Sequence, residues 1–463
     1  ARCSRPRATR WQDGTRTYQK HLVSCLATSR QSHTSRARPH RHASPSPHSC
    51  VSEPQQLGMA ATRPFRWAVT SAGKIAADFA HAIRQLPGHE IVAVAARNGA
   101  DADAFVAKHA RGAKAYRGYA AMFGDRGAHG ADCCYVATQP DTHAELVETL
   151  LDAGTPALCE KPLAVAPDAV DALYARAAAR GCFLMEGMWT RCFPATVKAR
   201  ELLAAGSIGE VVGVQAEFGY DIGNGCPASV RGDAATGGMA GDIGVPRRGA
   251  EIALDSTRPR PRRLRAAAAQ VYLAEKALLA FDSANYACVD ARGTAVLGAR
   301  DGVDLAVAAA ARFAPRAEGD GRGGVASLLW TGQCDTPETA TILGTTGSLC
   351  FDAAAHTPTR LVVKARASRT EASTDVLEFP LPDDDGAHAW NYPGSIALQY
   401  EAEAVARAVR AGSIEAPEWT HEDSRAAHRL VEDVRESLAP SRPDHAAALA
   451  ADVQTDKPGD FDF

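Results

Sequence analysis

"FRWAVTSAGKIAADFAHAIRQLPGHEIVAVAARN", residues 65–98, holds a short apolar run, a turn of small residues, a helical period and a second apolar run. Arg66–Thr70 predicts a strand, Ile75–Leu86 a helix, and Ile91–Ala96 a strand buried on both faces. Strand, tight turn, helix and strand make the opening unit of a doubly wound parallel sheet. The turn Ser71-Ala72-Gly73-Lys74-Ile75-Ala76 stands in the frame G-x-G-x-x-G, with Ser first and Ala last. Only the central glycine is kept, the one that lets backbone approach a pyrophosphate at a helix N-terminus. Ser71, Ala72, Gly73, Lys74 and Ile75 are therefore candidate dinucleotide contacts, although a plain strand–turn–helix would use the same letters.

The end of the second strand bears on which dinucleotide. A site for NAD usually has Asp or Glu there, accepting from the ribose 2′-hydroxyl. Here the strand runs into Ala96-Arg97-Asn98. A guanidinium suits a 2′-phosphate, and the missing carboxylate removes a repulsive charge. Arg97 thus predicts NADP; the competing reading is a solvated surface arginine.

The pattern continues in "ADCCYVATQPDTHAELVETLLDAGTPALCEKPLAV", residues 131–165, with Cys133–Ala137 a strand, Thr142–Ala153 a helix and Ala157–Cys159 a strand. Ligands of open α/β sheets sit at the carboxyl ends of the strands. That rule gathers Thr138, Gln139, Glu160 and Lys161 around one crevice. Further on, Val211–Phe218, Asp304–Phe313, Val325–Gly332, Thr339–Leu343 and Leu361–Lys364 are strand-like runs between Gly, Asp and Pro turns.

The rest of the chain bounds the function. Its 463 residues suggest two to three domains. Residues 1–58 carry nine Arg and one Lys against Asp13 and Glu53, about +8, which leaves −11 for 59–463. The body is acidic, so nucleic-acid binding has no support outside the Arg-rich segments. No run approaches the roughly 18 apolar residues of a membrane span. Residues 1–58 are rich in Ser, Arg, His and Pro and predict disorder. The first methionine is Met59, so translated upstream sequence is favoured over a targeting signal. Twelve cysteines show no CxxC pair and no zinc-like Cys/His spacing, and no metal is expected. A reducing, cytoplasmic setting fits, with organelle import through residues 1–58 ranked behind it.

The run Arg66–Pro194 contains S-A-G-K-I-A, A-T-Q-P-x-x-H, C-E-K-P and M-E-G-M-W-T-R-x-F-P. With these motifs it resembles the glucose-fructose oxidoreductase and inositol dehydrogenase family. The likeness is narrowest with the dimeric dihydrodiol dehydrogenase branch, whose members also act as NADP-dependent D-xylose dehydrogenases. "GSIGEVVGVQAEFG", "GTTGSLCFD", "TRLVV" and "YEAEAVARAVRAG" extend it to about Leu438. The resemblance implies an α/β architecture: an N-terminal Rossmann domain over 59–182, then an α/β domain with a large, open, mostly antiparallel sheet over 183–440. Residues 441–463 read as a tail. It also implies a homodimer, a small alcohol or sugar substrate, and cofactor contacts from His143, Trp189 and Arg191 within the quoted motifs.

Oxidising a secondary alcohol needs a base for the hydroxyl proton, and a lysine beside a phenol favours the phenolate. Lys161 supplies the cation. The family's second element is G-G-x-x-x-D-x-G-x-Y/H. Gly237 through Val245 fits it, with Asp242 as the carboxylate, but Pro246 stands where the aromatic acid/base belongs. Seven arginines follow between Arg247 and Arg265, with no helical or strand period.

If Val245–Gln270 is removed, Asp242-Ile243-Gly244 meets Val271-Tyr272, and Tyr272 takes the family place four after Asp242. Every valine codon begins GT and one glutamine codon is CAG, so these 26 residues fit a stretch bounded by GT and AG that keeps the frame. Residues 245–270 therefore read as a retained intron, the other reading being a genuine basic insertion. The catalytic candidates are Lys161, Asp242 and Tyr272. The expected function is hydride transfer from a trans-dihydrodiol or an aldose such as D-xylose to NADP. The alternatives are a catalytically impaired NADP-binding relative, another sugar or polyol dehydrogenase or, far behind, a binder of acidic partners through the arginines.

Overall fold

The structure is a computed structural model that describes residues 63–220, 268–297, 304–317, 322–352, 354–366, 368, 370 and 372–438. The basic extension 1–58, the Gly237–Val245 motif with Asp242, the Arg-rich run as far as residue 267, and the tail 441–463 lie outside the described residues.

Six strands build the first sheet: β1 (Phe65–Thr70), β2 (His89–Ala96), β3 (Lys114–Arg117), β4 (Cys133–Val136), β5 (Ala157–Glu160) and β6 (Leu184–Gly187). Their order is β3-β2-β1-β4-β5-β6 and every pair is parallel. The order reverses between β1 and β4, which opens a crevice at the carboxyl ends there. Strands covered on both faces read as unbroken apolar runs, and all four residues of β4 are buried. The connecting helices are α1 (Lys74–Arg84), α2 (Gly99–His109), α3 (Tyr119–Gly124), α4 (Arg126–His129), α5 (Pro140–Asp152) and α6 (Pro167–Arg180). Prolines open α5 and α6, where a missing N–H costs nothing. The first sheet extends through β6, beyond residue 182, where the sequence reading put the domain boundary.

After α7 (Pro194–Ala204) comes an eight-stranded sheet: β7 (Val211–Gly219), β8 (Tyr286–Leu297), β9 (Asp304–Pro315), β10 (Gly324–Thr331), β11 (Ala340–Gly344), β12 (Gly347–Phe351), β13 (Arg360–Arg366) and β14 (Ala372–Glu378). Its order is β14-β13-β12-β11-β7-β10-β9-β8, antiparallel except for β7 with β10. One face packs α8 (Ala268–Ala280) against β7 and β10, and α10 (His421–Ser437) against β8. Several large aliphatic side chains of the sheet remain exposed, Val289, Val296 and Val325 by about half. The mixed α/β class and the mostly antiparallel second sheet agree with expectation.

Helix α8 spans Ala268–Ala280, so the last three residues of the suspected insertion are helical and Tyr272 sits in its second turn. Ala268, Ala269 and Gln270 favour helix intrinsically, and the helix reaches back through them.

The segment between β14 and α9 (Leu398–Arg410) clasps the first domain. Buried Asp78 on α1 accepts from the Asn391 amide at 2.7 Å, from the Asn391 and Tyr392 main chain at 3.1 Å, and from His388 at 3.0 Å. His81, His109 and His388 bring ring nitrogens within 4.8 Å of one another, a juxtaposition that three separate elements hide from a spacing search. The His81 and His388 rings lie parallel at 3.7 Å, so no ion can sit in both ring planes. Burial lowers His81 to about 4. Among the described residues the eight cysteines are free thiols, and burial pushes Cys133, Cys159 and Cys192 well up.

Candidate functional site

Two ends of one crevice can be distinguished. At the first, Ser71 takes φ = 84°, a conformation that costs any residue but glycine, at the place of the motif's first glycine. Its Oγ accepts from the Gly73 N–H at 3.1 Å. Gly73 caps α1 without a side chain, so the first amides of the helix keep their capacity for an anion. A Cβ on Gly73 would lie 3.1 Å from Ser71 Oγ, tight against the turn. Ala72 and Lys74 are exposed and Ile75 half-buried. Arg97 is exposed at the end of β2 and has no ion pair among the described residues. These features fit a dinucleotide phosphate and a 2′-phosphate.

At the other end, Glu160 closes β5 and Lys161 follows it, joined to Pro162 by a cis peptide. Tyr135 on β4 donates its hydroxyl to Glu160 Oε1 at 2.6 Å and stacks on Phe79 at 3.9 Å. Lys161 Nζ lies 5.1 Å from the centre of the Tyr272 ring. Trp189 Nε1 donates to the Tyr272 oxygen at 2.8 Å. Burial, then the Glu160 charge, pushes the Tyr272 phenol well up, and the Trp189 donor opposes them. Lys161, Tyr272, Glu160 and Trp189 are thus brought together, Trp189 through the phenol it contacts.

Thr138 is half-buried and Gln139 exposed at the start of α5. Two readings change. His143 has no exposed surface; one ring nitrogen faces the Pro162 carbonyl at 2.8 Å and the other the Thr138 carbonyl at 3.0 Å. Burial lowers it, against the pull of those carbonyls. It ties together the two turns carrying Thr138 and Lys161, instead of offering an atom to a cofactor. Arg191 is also buried, pairs with Glu275 at 3.0 Å and lies over the Trp419 ring, so its guanidinium is committed inside the protein. A motif letter marks both residues but cannot tell a ligand contact from an internal clasp.

Sequence reasoning missed three groups. Glu186, on β6, is fully buried and accepts from the Leu163 main-chain N–H at 2.8 Å, His428 at 3.0 Å, Trp419 at 3.3 Å and the Ser424 hydroxyl. Burial works against its charge, but His428 and the other donors hold it below the usual carboxylate range. Glu401 on α9 is fully buried without a hydrogen-bond partner among the described residues. Burial and the Glu160 charge raise it well above that range, with Lys161 opposing. His356, paired with Glu338 at 2.9 Å, faces Tyr272 and Phe218 from the second sheet, at ring distances of 5.8 and 5.1 Å. The M-E-G and Y-E-A motifs held the first two in plain view; nothing local marked His356.

Comparison with known proteins agrees with this geometry. The profile described as "Oxidoreductase family, NAD-binding Rossmann fold" matches residues 65–188. The trans-1,2-dihydrobenzene-1,2-diol dehydrogenase of Sus scrofa is 31% identical over 82% of this chain and 98% of its own. The human enzyme of that name is 30% identical over the same shares. A 3-ketoreductase from Actinomadura kijaniata, solved with NADP and TDP-benzene, shares the fold at TM-score 0.58 and 24% identity, over 81% of this chain and 98% of its own. Levoglucosan dehydrogenase with NADH and levoglucosan does so at TM-score 0.63 and 16% identity, over 82% and 98%. The chain belongs to this family of Rossmann-fold oxidoreductases, the GFO/IDH/MocA family.

Proposed function

We propose that the protein is an NADP-dependent dehydrogenase that oxidises a secondary alcohol, on a cyclic trans-dihydrodiol or an aldose such as D-xylose. The observation that carries this reading is the Lys161 ammonium over the Tyr272 ring at the carboxyl edge of the parallel sheet. The Ser71–Ile75 turn and Arg97 would hold the cofactor, which when bound supplies the carbon acceptor for hydride. Tyr272 takes the hydroxyl proton at its phenolic oxygen, with Lys161 and Trp189 stabilising the negative charge that forms there. His356 and Phe218 form a wall beside the Tyr272 ring, and burial with the Glu160 charge favours the uncharged form of Glu401 nearby. Asp242 is assigned beside Tyr272 on motif spacing alone. The exposed valines of the second sheet support a homodimer through that face. A screen of dihydrodiols and aldoses with the purified protein and NADP tests the activity; turnover of none of them overturns it.

Arg97 sets the first expectation. NADP binds at least tenfold more tightly than NAD, about 1.4 kcal/mol, and Arg97→Asp narrows or reverses the gap. Equal affinities in the unmutated protein would remove the 2′-phosphate assignment.

The second concerns residues 245–270. If they are intronic, transcripts include a form 78 nucleotides shorter that joins Gly244 to Val271. Long loops add little closure cost, roughly 0.6 kcal/mol per doubling, so the long chain folds. Catalysis is less tolerant, because about 1 Å of misplacement is costly. The short protein turns over faster, with Asp242 and Tyr272 restored to one helical turn. Only long transcripts, together with a fully active long protein, refute the intron.

A further inference from the structure

We propose that Arg117 is the second guanidinium of the 2′-phosphate site and shares with Arg97 the selection of NADP over NAD. The inference rests on the preceding assignment of the β2 end to the adenosine ribose.

Strands β2 and β3 run parallel with Ala96 opposite Arg117, and the Gly118 N–H donates to the Ala96 carbonyl at 2.7 Å. Arg97 and Arg117 therefore leave the same sheet edge from adjacent strands. The stem of Arg117 lies along the start of α2. A Cβ built on Gly99 would stand 3.3 Å from Arg117 Cβ, 3.6 Å from Cγ and 3.7 Å from Cδ. The absent side chain at Gly99 leaves that stem its path, two residues beyond Arg97.

Charge supports the same conclusion. Both arginines are exposed, and neither has an ion pair or hydrogen bond among the described residues. The lysine that opens β3 is satisfied, since Lys114 pairs with Asp125 at 2.7 Å. Asp101 lies in the first turn of α2. With Arg97 alone this corner is formally neutral; Arg117 makes it positive. A phosphomonoester carries about −1.5 to −2 near neutral pH, and paired guanidinium forks match its oxygens in geometry as well as charge.

The test is equilibrium binding of NADP, NAD, 2′,5′-ADP and 5′-AMP to the full chain and to its R97A, R117A and R117K variants. R117A weakens NADP and 2′,5′-ADP about tenfold, the lower range for a charged hydrogen bond, and leaves NAD and 5′-AMP unchanged. R117K keeps part of the affinity, because it restores the charge without the fork. Equal weakening of NADP and NAD would make Arg117 a structural residue, and no weakening of either would remove it from the site; both outcomes overturn the inference. If R97A abolishes the NADP preference while R117A does not, the inference alone fails. If the unmutated protein has no preference, the ribose assignment fails with it.

Discussion

Tyr272→Phe lowers turnover of the alcohol by about 100- to 10,000-fold, the usual scale for losing an acid/base group, while fold and cofactor affinity persist. Only a hydroxyl is removed. The ring still packs on Phe218 and faces His356, and the one partner left open is the Trp189 N–H. That orphaned donor costs stability on the order of 1–3 kcal/mol, a small fall in Tm rather than unfolding. The pH profile gives a second readout. Burial and the Glu160 charge raise the phenol, so the deprotonated form needed for oxidation gains population as pH rises into the alkaline range. Oxidation therefore accelerates with pH in the unmutated protein, whereas reduction, which needs the neutral phenol, holds through neutrality. The variant loses the alkaline rise. Unchanged turnover in Tyr272→Phe would take the acid/base role away from this residue.

Lys161→Ala produces a loss of comparable size, two orders of magnitude or more in turnover. Without the ammonium over its ring, the Tyr272 phenol still feels the Glu160 charge that raises it, and forming a phenolate becomes harder still. Glu401, whose carboxyl Lys161 now restrains, rises further. Binding of NADP changes much less, because the Ser71–Ile75 turn and Arg97 lie at the other end of the crevice. Steady-state rates measured with direct titration of the cofactor separate the two effects. If turnover survives, the lysine is a surface residue and the active centre lies elsewhere.

The parallel sheet was legible because strands buried on both faces leave unbroken apolar runs between turn residues, as in Cys133–Val136. Boundaries moved where periodicity gave way to caps: α5 starts at Pro140, two residues before the apolar spacing does. In the second sheet β8, β12 and β14 went unread. β14 is an edge strand with nearly every residue exposed, β12 has only five residues, and β8 carries Arg292-Gly293 and two register shifts. Lys161 and Tyr272 were readable as candidates from motif letters, and the structure brings the two side chains together. Trp189 reaching the phenol, His143 closing on two carbonyls and His356 arriving from the far sheet are products of tertiary packing, which no local pattern records.

Glu186 carries a consequence for how the protein is made. Glu186 lies on the edge strand β6, and all six strands of the first sheet, within Phe65–Gly187, leave the ribosome while synthesis of the rest continues. Ser424 and His428, which satisfy its buried carboxylate, emerge 238 and 242 residues later. Until then a charge that must be enclosed lacks two of its donors, and the same carboxylate fixes the Leu163 amide two residues after Lys161. The nascent chain therefore completes the strands of the parallel sheet before the last donors to Glu186 are made. An arrested or truncated product ending before Thr420 lacks Ser424 and His428, so the enclosure of Glu186 is completed only when α10 docks.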